Sequence, residues 1–204
     1  EDVLKFKQTL SIDTYKPKVA KTALENGFNM INDITGGGEN GAMIEIASLF
    51  NCPIILMHMQ GNPTTMQHKP FYDDVMDELL SFFETKVELA KNIGLQDNQI
   101  ILDPGIGFGK NIIDNDIIIN RINDLKKLGF PILIGLSRKS FLCINKDEPK
   151  DRLPATLGVT ALAVQNGVDI IRVHDIEDTY KMLLVICRVL HANNNKNNFS
   201  TYAI

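Results

Sequence analysis

The chain has 204 residues, 44% hydrophobic and 23% charged, which is the composition of a folded domain with one sizeable core and not of a disordered segment. A net charge of −4 and the lack of any lysine/arginine block argue against a sequence-independent nucleic-acid binder, whose phosphate contacts need concentrated positive charge, so small substrates are expected and nucleic acid is not. The three cysteines, Cys52, Cys143 and Cys187, have no CxxC spacing and fit a reducing cytoplasm; no apolar run of about eighteen residues and no basic-then-apolar start predicts a membrane span or a signal peptide.

Short runs rich in Ile, Val and Leu alternate with longer segments of helical period, and this happens six times. Residues 7–13 are predicted as the first strand and 14–26 as its helix, with Pro17 near the start and Gly27 at the end. A strand at 29–34 runs into Gly36-Gly37-Gly38, and a helix follows at 41–50. The third strand, 53–59, leads into a loop over 60–71 that contains Gly61, Pro63 and Pro70 and is long enough to carry function. The longest helix is expected at 73–92, where Val75, Leu79, Phe82, Phe83, Val87 and Ala90 form an apolar stripe.

A fourth strand is predicted at 100–103 with a helix at 116–128, and a fifth strand at 131–136 followed by a polar connection over 142–150. The last unit is a helix of small apolar residues at 152–166, a strand at 168–173 and a helix at 177–191. Residues 1–192 read as one domain, and 193–204 as a polar, asparagine-rich tail with no means of burying itself. Repeated βα alternation without hairpin signals implies a parallel sheet covered by helices. An open doubly wound sheet and a TIM-type (β/α)₈ barrel both satisfy that pattern. Polar residues at the end of nearly every strand favour the barrel, because an open sheet uses mainly its switch point.

Those strand-end residues are Asp13, Asn32 with Asp33, His58, Asp103, Lys139, and Arg172 with His174. Parallel strands open their carboxyl ends on one face, which is therefore the candidate active site. Two readings fit each residue. Asp13 suits a cap for the helix that follows, and Asn32 and Asp33 suit turn organisers before the glycines. The same groups, held in a partly dry barrel mouth, would take paired donors from a guanidine-like heterocycle edge.

Asp103-Pro104-Gly105-Ile106-Gly107-Phe108-Gly109-Lys110 reads either as a phosphate cradle or as a turn braced by its aspartate, and it lacks both the P-loop and the dinucleotide-site spacing. Ser137-Arg138-Lys139-Ser140 follows an apolar strand and reads as a site loop or as a solvated basic loop. Arg172 and His174 alternate at strand period and so point to one side, as an anion clamp or as salt-bridge partners. His58 lies between two methionines without a neighbouring ligand set and reads as a structural histidine.

Taken together, Ser11-Ile12-Asp13-Thr14, Ile31-Asn32-Asp33-Ile34, Met57 to Pro63, Leu102 to Asn111, Gly135 to Ser140 and Ile171 to Asp175 resemble bacterial dihydropteroate synthases in order and spacing over nearly the whole chain. The resemblance implies a TIM-type barrel that joins p-aminobenzoate to 6-hydroxymethyl-7,8-dihydropterin pyrophosphate and releases pyrophosphate, in a cytoplasmic homodimer that sulfonamides target. It assigns Asp13, Asn32, Asp103 and Lys139 to the pterin ring, and Met57, Phe108 and Gly135 to the pocket around it. Arg172 and His174 would hold the pyrophosphate with Mg²⁺, and Ser140 would lie near the p-aminobenzoate carboxylate. Asp13, Asp103 and Lys139 are the expected catalytic groups, since carboxylates beside the pterin would stabilise the cation that develops there.

The family opens with two further βα units, carrying an Asn-x-Thr-Pro-Asp-Ser-Phe loop and a Gly-Gly-x-Ser-Thr-Arg-Pro loop, and neither string occurs here. A barrel of about 250 residues less two units of about 30 gives roughly the present length, so six of eight units are expected, with the family's metal-binding Asn outside them. The start at Glu1 fits either processing or a fragment. On this reading the pterin pocket is largely encoded here while turnover by the chain alone is weak or absent. A non-catalytic pterin-binding remnant and a methyltetrahydrofolate:corrinoid methyltransferase-like enzyme are the alternatives, the latter having no use for a pyrophosphate clamp.

Overall fold

A computed structural model describes residues 8–66 and 68–192. Residue 7, at the start of the first predicted strand, and the tail over 193–204 lie outside the described residues. In chain order the elements are β1 (Ser11–Asp13), α1 (Pro17–Glu25), β2 (Met30–Asp33), α2 (Ala42–Leu49), β3 (Ile54–Met57), α3 (Val75–Ile93), β4 (Ile100–Asp103), α4 (Ile112–Arg121), β5 (Leu133–Gly135), α5 (Leu153–Gln165), β6 (Ile170–Arg172) and α6 (Ile176–Leu190). All the pairings are parallel: β1 to β4 are neighbours in order, β5 pairs with β6, and a single bridge between Leu102 and Ile132 joins the two groups. The chain thus carries six consecutive βα units of a TIM-type barrel. Among the described residues no strand lies beyond β1 or beyond β6.

Strand alternation divides the apolar residues into two cores. Ile31, Ile54, Leu56, Ile100, Leu102, Ile132 and Ile134 face the helices, where they meet Ala20, Met43, Ile44, Leu79, Phe83 and Ile118. Their in-between neighbours Ile55, Ile101 and Leu133, with Met30 and Ile170, form a smaller cluster on the opposite, inner face. The inner cluster is the floor on which the site stands.

Three helix starts show what local sequence does and does not dictate. α1 begins at Pro17, three residues later than expected; its N-cap is Lys16 and no side chain caps it, so Asp13 is not a helix cap. α3 begins where Asp74 accepts from the N–H groups of Met76 and Asp77, at 2.7 and 3.2 Å, and it stops at Gly94 in the left-handed conformation.

α4 begins at Ile112, four residues before the predicted start, and its last turns tighten into a 3₁₀ segment, Ile122–Leu128. Its first turn inverts the usual pattern: Ile112 and Ile113 are exposed while Asp114 and Asn115 are buried. Hydrophobic periodicity therefore starts late, although a reciprocal capping box between Asn111 and Asp114 sets the true beginning.

Candidate active site

The carboxyl ends of β1 to β6 bring Asp13, Asn32, Met57, Asp103, Gly135 and Arg172 to one end of the sheet. Register fixes which of them share a face. Asp13 pairs with Asn32, Asn32 with Ile55, Ile55 with Ile101, and Gly135 with Arg172, so Asp13 and Asn32 stand on the same side as the inner apolar floor. Asp33, the next residue, must point the other way. Its carboxylate is fully buried and accepts from the Thr35 N–H and hydroxyl at 2.9 and 2.6 Å and from the Gly37 N–H at 2.8 Å. The turn-organising role thus falls to Asp33 alone. Asn32 is buried, and its Oδ1 has no hydrogen-bond partner. A buried amide oxygen left unpaired costs about 1–3 kcal/mol, which a donor from a bound molecule would recover.

The β4 turn closes the site on its next side. Asp103 is buried, and its Oδ1 accepts the Gly105 N–H at 2.7 Å. Gly105 has φ +67°, and a Cβ there would lie 1.9 Å from the His58 carbonyl oxygen. At Gly109, φ +63°, it would lie 2.4 Å from that of Gln60. Only glycine lets this turn seat against the loop after β3.

The phosphate-cradle reading fails on the same geometry. The Gly105 N–H is spent on Asp103, the Phe108 N–H on the Gly105 carbonyl at 3.0 Å and the Gly107 N–H on Asn115 Oδ1 at 2.8 Å, so the turn braces itself and offers those donors to no anion. Asn115 had no signal in the sequence beyond sitting in a segment of inverted pattern.

The Ser137-Arg138-Lys139-Ser140 loop is not a solvated basic loop. Ser137 is buried, Arg138 makes a two-point ion pair with Asp175, with Nε to Oδ2 at 2.9 Å, and Lys139 Nζ donates to the Ile106 carbonyl. The Lys139 ammonium also lies 5.0 Å from the centre of the Phe108 ring, a cation–π contact. Arg138 sits at φ +59°, held there by Asp175, by the Thr156 hydroxyl on its N–H at 3.1 Å and by Arg152 on its carbonyl at 2.8 Å. Asp175, Thr156 and Arg152 are supports that sequence reasoning missed: Asp175 comes from the next βα unit, and Thr156 and Arg152 stand 18 and 14 residues beyond Arg138, at the start of α5. Ser140 is exposed at the start of a short 3₁₀ turn, Ser140–Leu142.

Burial and charge then set the protonation states. Burial pushes the Asp103 carboxyl up, against the pull of Lys139, the Gly105 N–H, Lys110 and Arg172. Burial pulls the Lys139 ammonium down to about 8, with Asp103 opposing. Asp103 and Lys139 thus each oppose the effect of burial on the other's charge.

At the open side Arg172 Nη2 donates to Asp13 Oδ2 at 2.5 Å, so the salt-bridge reading of Arg172 holds; both side chains are more than half exposed. His174 Nδ1 lies 2.9 Å from the Ser137 hydroxyl, which also accepts the His174 N–H at 3.2 Å and so fixes the imidazole at the mouth. His58 is buried, with Nδ1 3.0 Å from Lys110 Nζ and its ring edge-on to Phe82; burial and Lys110 hold its pKa down to about 3, which fits a structural residue. Among the described residues no three His, Cys, Asp or Glu side chains are placed to hold a cation, so the residues present do not fit a Mg²⁺ site by themselves. Among the described residues no helix is long and apolar enough to cross a membrane.

The pterin binding enzyme family matches residues 2–174. The chain is 42% identical over 185 residues to the dihydropteroate synthase of Synechocystis sp., covering 90% of this chain and 63% of that protein. It is 38% identical over 194 residues to that of Escherichia coli, covering 94% and 68%. The crystal structure of Yersinia pestis dihydropteroate synthase with a sulfonamide drug superposes with a TM-score of 0.89 at 36% identity, over 93% of this chain and 69% of that one. The chain spans about two thirds of the length of these relatives, and the family match over residues 2–174 includes every strand end described above. With the family model matched over residues 2–174 and relatives 38–42% identical over nine tenths of its length, the chain belongs to the dihydropteroate synthase family of pterin binding enzymes.

Proposed function

We propose that this chain supplies the pterin site of a dihydropteroate synthase, which condenses 6-hydroxymethyl-7,8-dihydropterin pyrophosphate with p-aminobenzoate to give dihydropteroate and pyrophosphate. The observation that carries this is the pair of buried acceptors, Asn32 Oδ1 and the Asp103 carboxylate, which stand on the inner face of the sheet with its small apolar cluster and with Lys139 near Asp103. A flat ring edged with N–H and NH₂ donors satisfies both acceptors. An apolar ligand would leave them unpaired.

In this reading Asp103 and Asn32 take donors from the ring, Lys139 donates to a ring acceptor, and Met57, Phe108 and Gly135 line the ring's faces. The bond from the pterin methylene carbon to the pyrophosphate oxygen breaks, and the amine nitrogen of p-aminobenzoate forms the new carbon–nitrogen bond and loses a proton. Positive charge that develops on the pterin is met by Asp103 and Asp13. Arg172 keeps further N–H donors beyond the one given to Asp13, and with His174 it would receive the departing pyrophosphate. Ser140, exposed after β5, would take the p-aminobenzoate carboxylate. Mg²⁺ belongs to this proposal only as an ion that pyrophosphate oxygens would bring with them.

We further propose a cytoplasmic homodimer. Ile176, Tyr180, Leu184, Val185, Val189 and Leu190 on α6 are exposed, an apolar surface that a second copy would cover. Calorimetric titration of the chain with 6-hydroxymethylpterin tests the central reading. Binding that is lost in Asp103→Asn and weakened in Asn32→Ala supports it, and no binding by the parent chain refutes it. A methyltransferase-like site would bind the pterin equally but would not respond to pyrophosphate.

A further inference from the structure

Lys110 closes the glycine-rich turn after β4, and its amine is the most completely enclosed cation of the described residues. It is 4% exposed, and Nζ lies 3.1 Å from the Gly105 carbonyl, 3.0 Å from that of Phe108, 3.4 Å from that of His58 and 3.0 Å from His58 Nδ1. One ammonium thus ties the end of β3 to both limbs of the β4 turn. Each limb carries a site group: the Gly105 N–H holds Asp103, the Ile106 carbonyl holds Lys139, and the Phe108 ring lies under the Lys139 ammonium.

We propose that Lys110 is a positioning residue: by clamping the 104–109 turn to His58 it sets where Asp103 and Lys139 present their charges to the pterin. The proposal rests on the pterin reading for its consequence, but the clamp itself is a property of the empty chain.

The groups that face Lys110 come from every element around it: His58 at the end of β3, Tyr72 in the loop that follows, Glu78 on α3, Asp103 on β4, Asp114 on α4 and Lys139 after β5. The Tyr72 hydroxyl donates to the Gly109 carbonyl at 2.6 Å, and Glu78 stands 3.6 Å from His58 Nε2. Burial draws Lys110 down to about 7, with Asp103, Glu78 and Asp114 opposing and Lys139 adding to the fall. His58, neutral throughout this range, leaves its Nδ1 free to accept. Opening the turn would return Lys110 to its ordinary pKa of 10.5, so between pH 7 and 10 the closed turn gains on the open one as pH rises.

The test uses two readouts that need no ligand and one that does. In Lys110→Met, three carbonyls lose their donor; acylation of Lys139, read by peptide mass, is expected to rise, and 6-hydroxymethylpterin affinity to fall about tenfold or more, the loss of one charge-assisted hydrogen bond. In the parent chain and in Lys139→Met, which removes the second amine from the same pH window, the protection factor of the Gly105 amide against hydrogen exchange is expected to rise from pH 7 to 10. A flat Gly105 protection factor overturns the clamp, and so does parent-like Lys139 labelling in folded Lys110→Met. If Lys110→Met does not fold, the Gly105 profile decides. Absence of pterin binding in the parent refutes the pterin reading alone, since labelling and exchange still judge Lys110.

Discussion

Asp103 and Lys139 are the residues on which the chemistry turns, and their opposite displacements give two predictions. Asp103→Asn keeps size and shape but removes the charge that a ring donor would meet; pterin affinity is expected to fall by about tenfold or more, as for loss of a charge-assisted hydrogen bond, measured by calorimetry. Lys139 is cationic below about 8 and neutral above it. Affinity for an anionic pterin diphosphate is therefore expected to fall as pH rises through that value, and a Lys139→Met variant to lose this pH step. A profile unchanged by that substitution would remove Lys139 from the site. The sequence placed Asp103, Lys139, Asn32 and Arg172 at strand ends without saying what each one touches. Asp13 shows the limit most clearly, since a carboxylate before a helix looks like a cap until the partner, Arg172, arrives from 159 residues away.

At the scale of elements, turns and caps decide how the strand ends are held. Gly105→Ala would set a methyl 1.9 Å from the His58 carbonyl at a positive φ, so the turn cannot close. Pterin binding is expected to disappear by calorimetry while the far-ultraviolet circular dichroism of the helices persists. Asp74→Ala removes the acceptor for two N–H groups at the start of α3 and is expected to cost about 1 kcal/mol in denaturant unfolding with little effect on ligand affinity. The strands and helices were largely legible because period-2 and period-3.6 patterns follow directly from which face is buried. α4 was not, because its first turn buries Asp114 and Asn115 for their hydrogen bonds and leaves two isoleucines outside.

For the whole molecule, the two cores differ in what they can tolerate. The helix-facing core is one continuous cluster, while the inner cluster is small and carries polar groups directly above it. β3 and β4, in the middle of the order, are buried along their whole length; β1 and β6 are partly exposed, and the Asp13–Arg172 pair at the mouth links them. An exposed pair of this kind is worth about 0–1 kcal/mol, so it orders the site more than it stabilises the fold. Lys110 and Lys139 affect stability through pH. Both are lowered from 10.5 by burial, so the unfolded chain binds more protons between pH 7 and 10, and stability rises with pH there. The thermal midpoint is expected to climb from pH 7 to 9 and to climb less in Lys110→Met; a midpoint that falls in the parent over this range would contradict the burial of both amines.

Residue order by itself determined the βα repetition, the polar strand ends and the glycine spacing, because each is a local consequence of backbone geometry and burial period. Tertiary structure alone decided that Asn32 looks into the site while Asp33 ties a turn, that Arg138 belongs to Asp175, and that Lys110 is enclosed. The physical reason is common to all three. Alternation says that neighbours on a strand face opposite ways, but only packing against the helices says which way is inward, and a buried charge is defined by partners that the chain brings from far along its length.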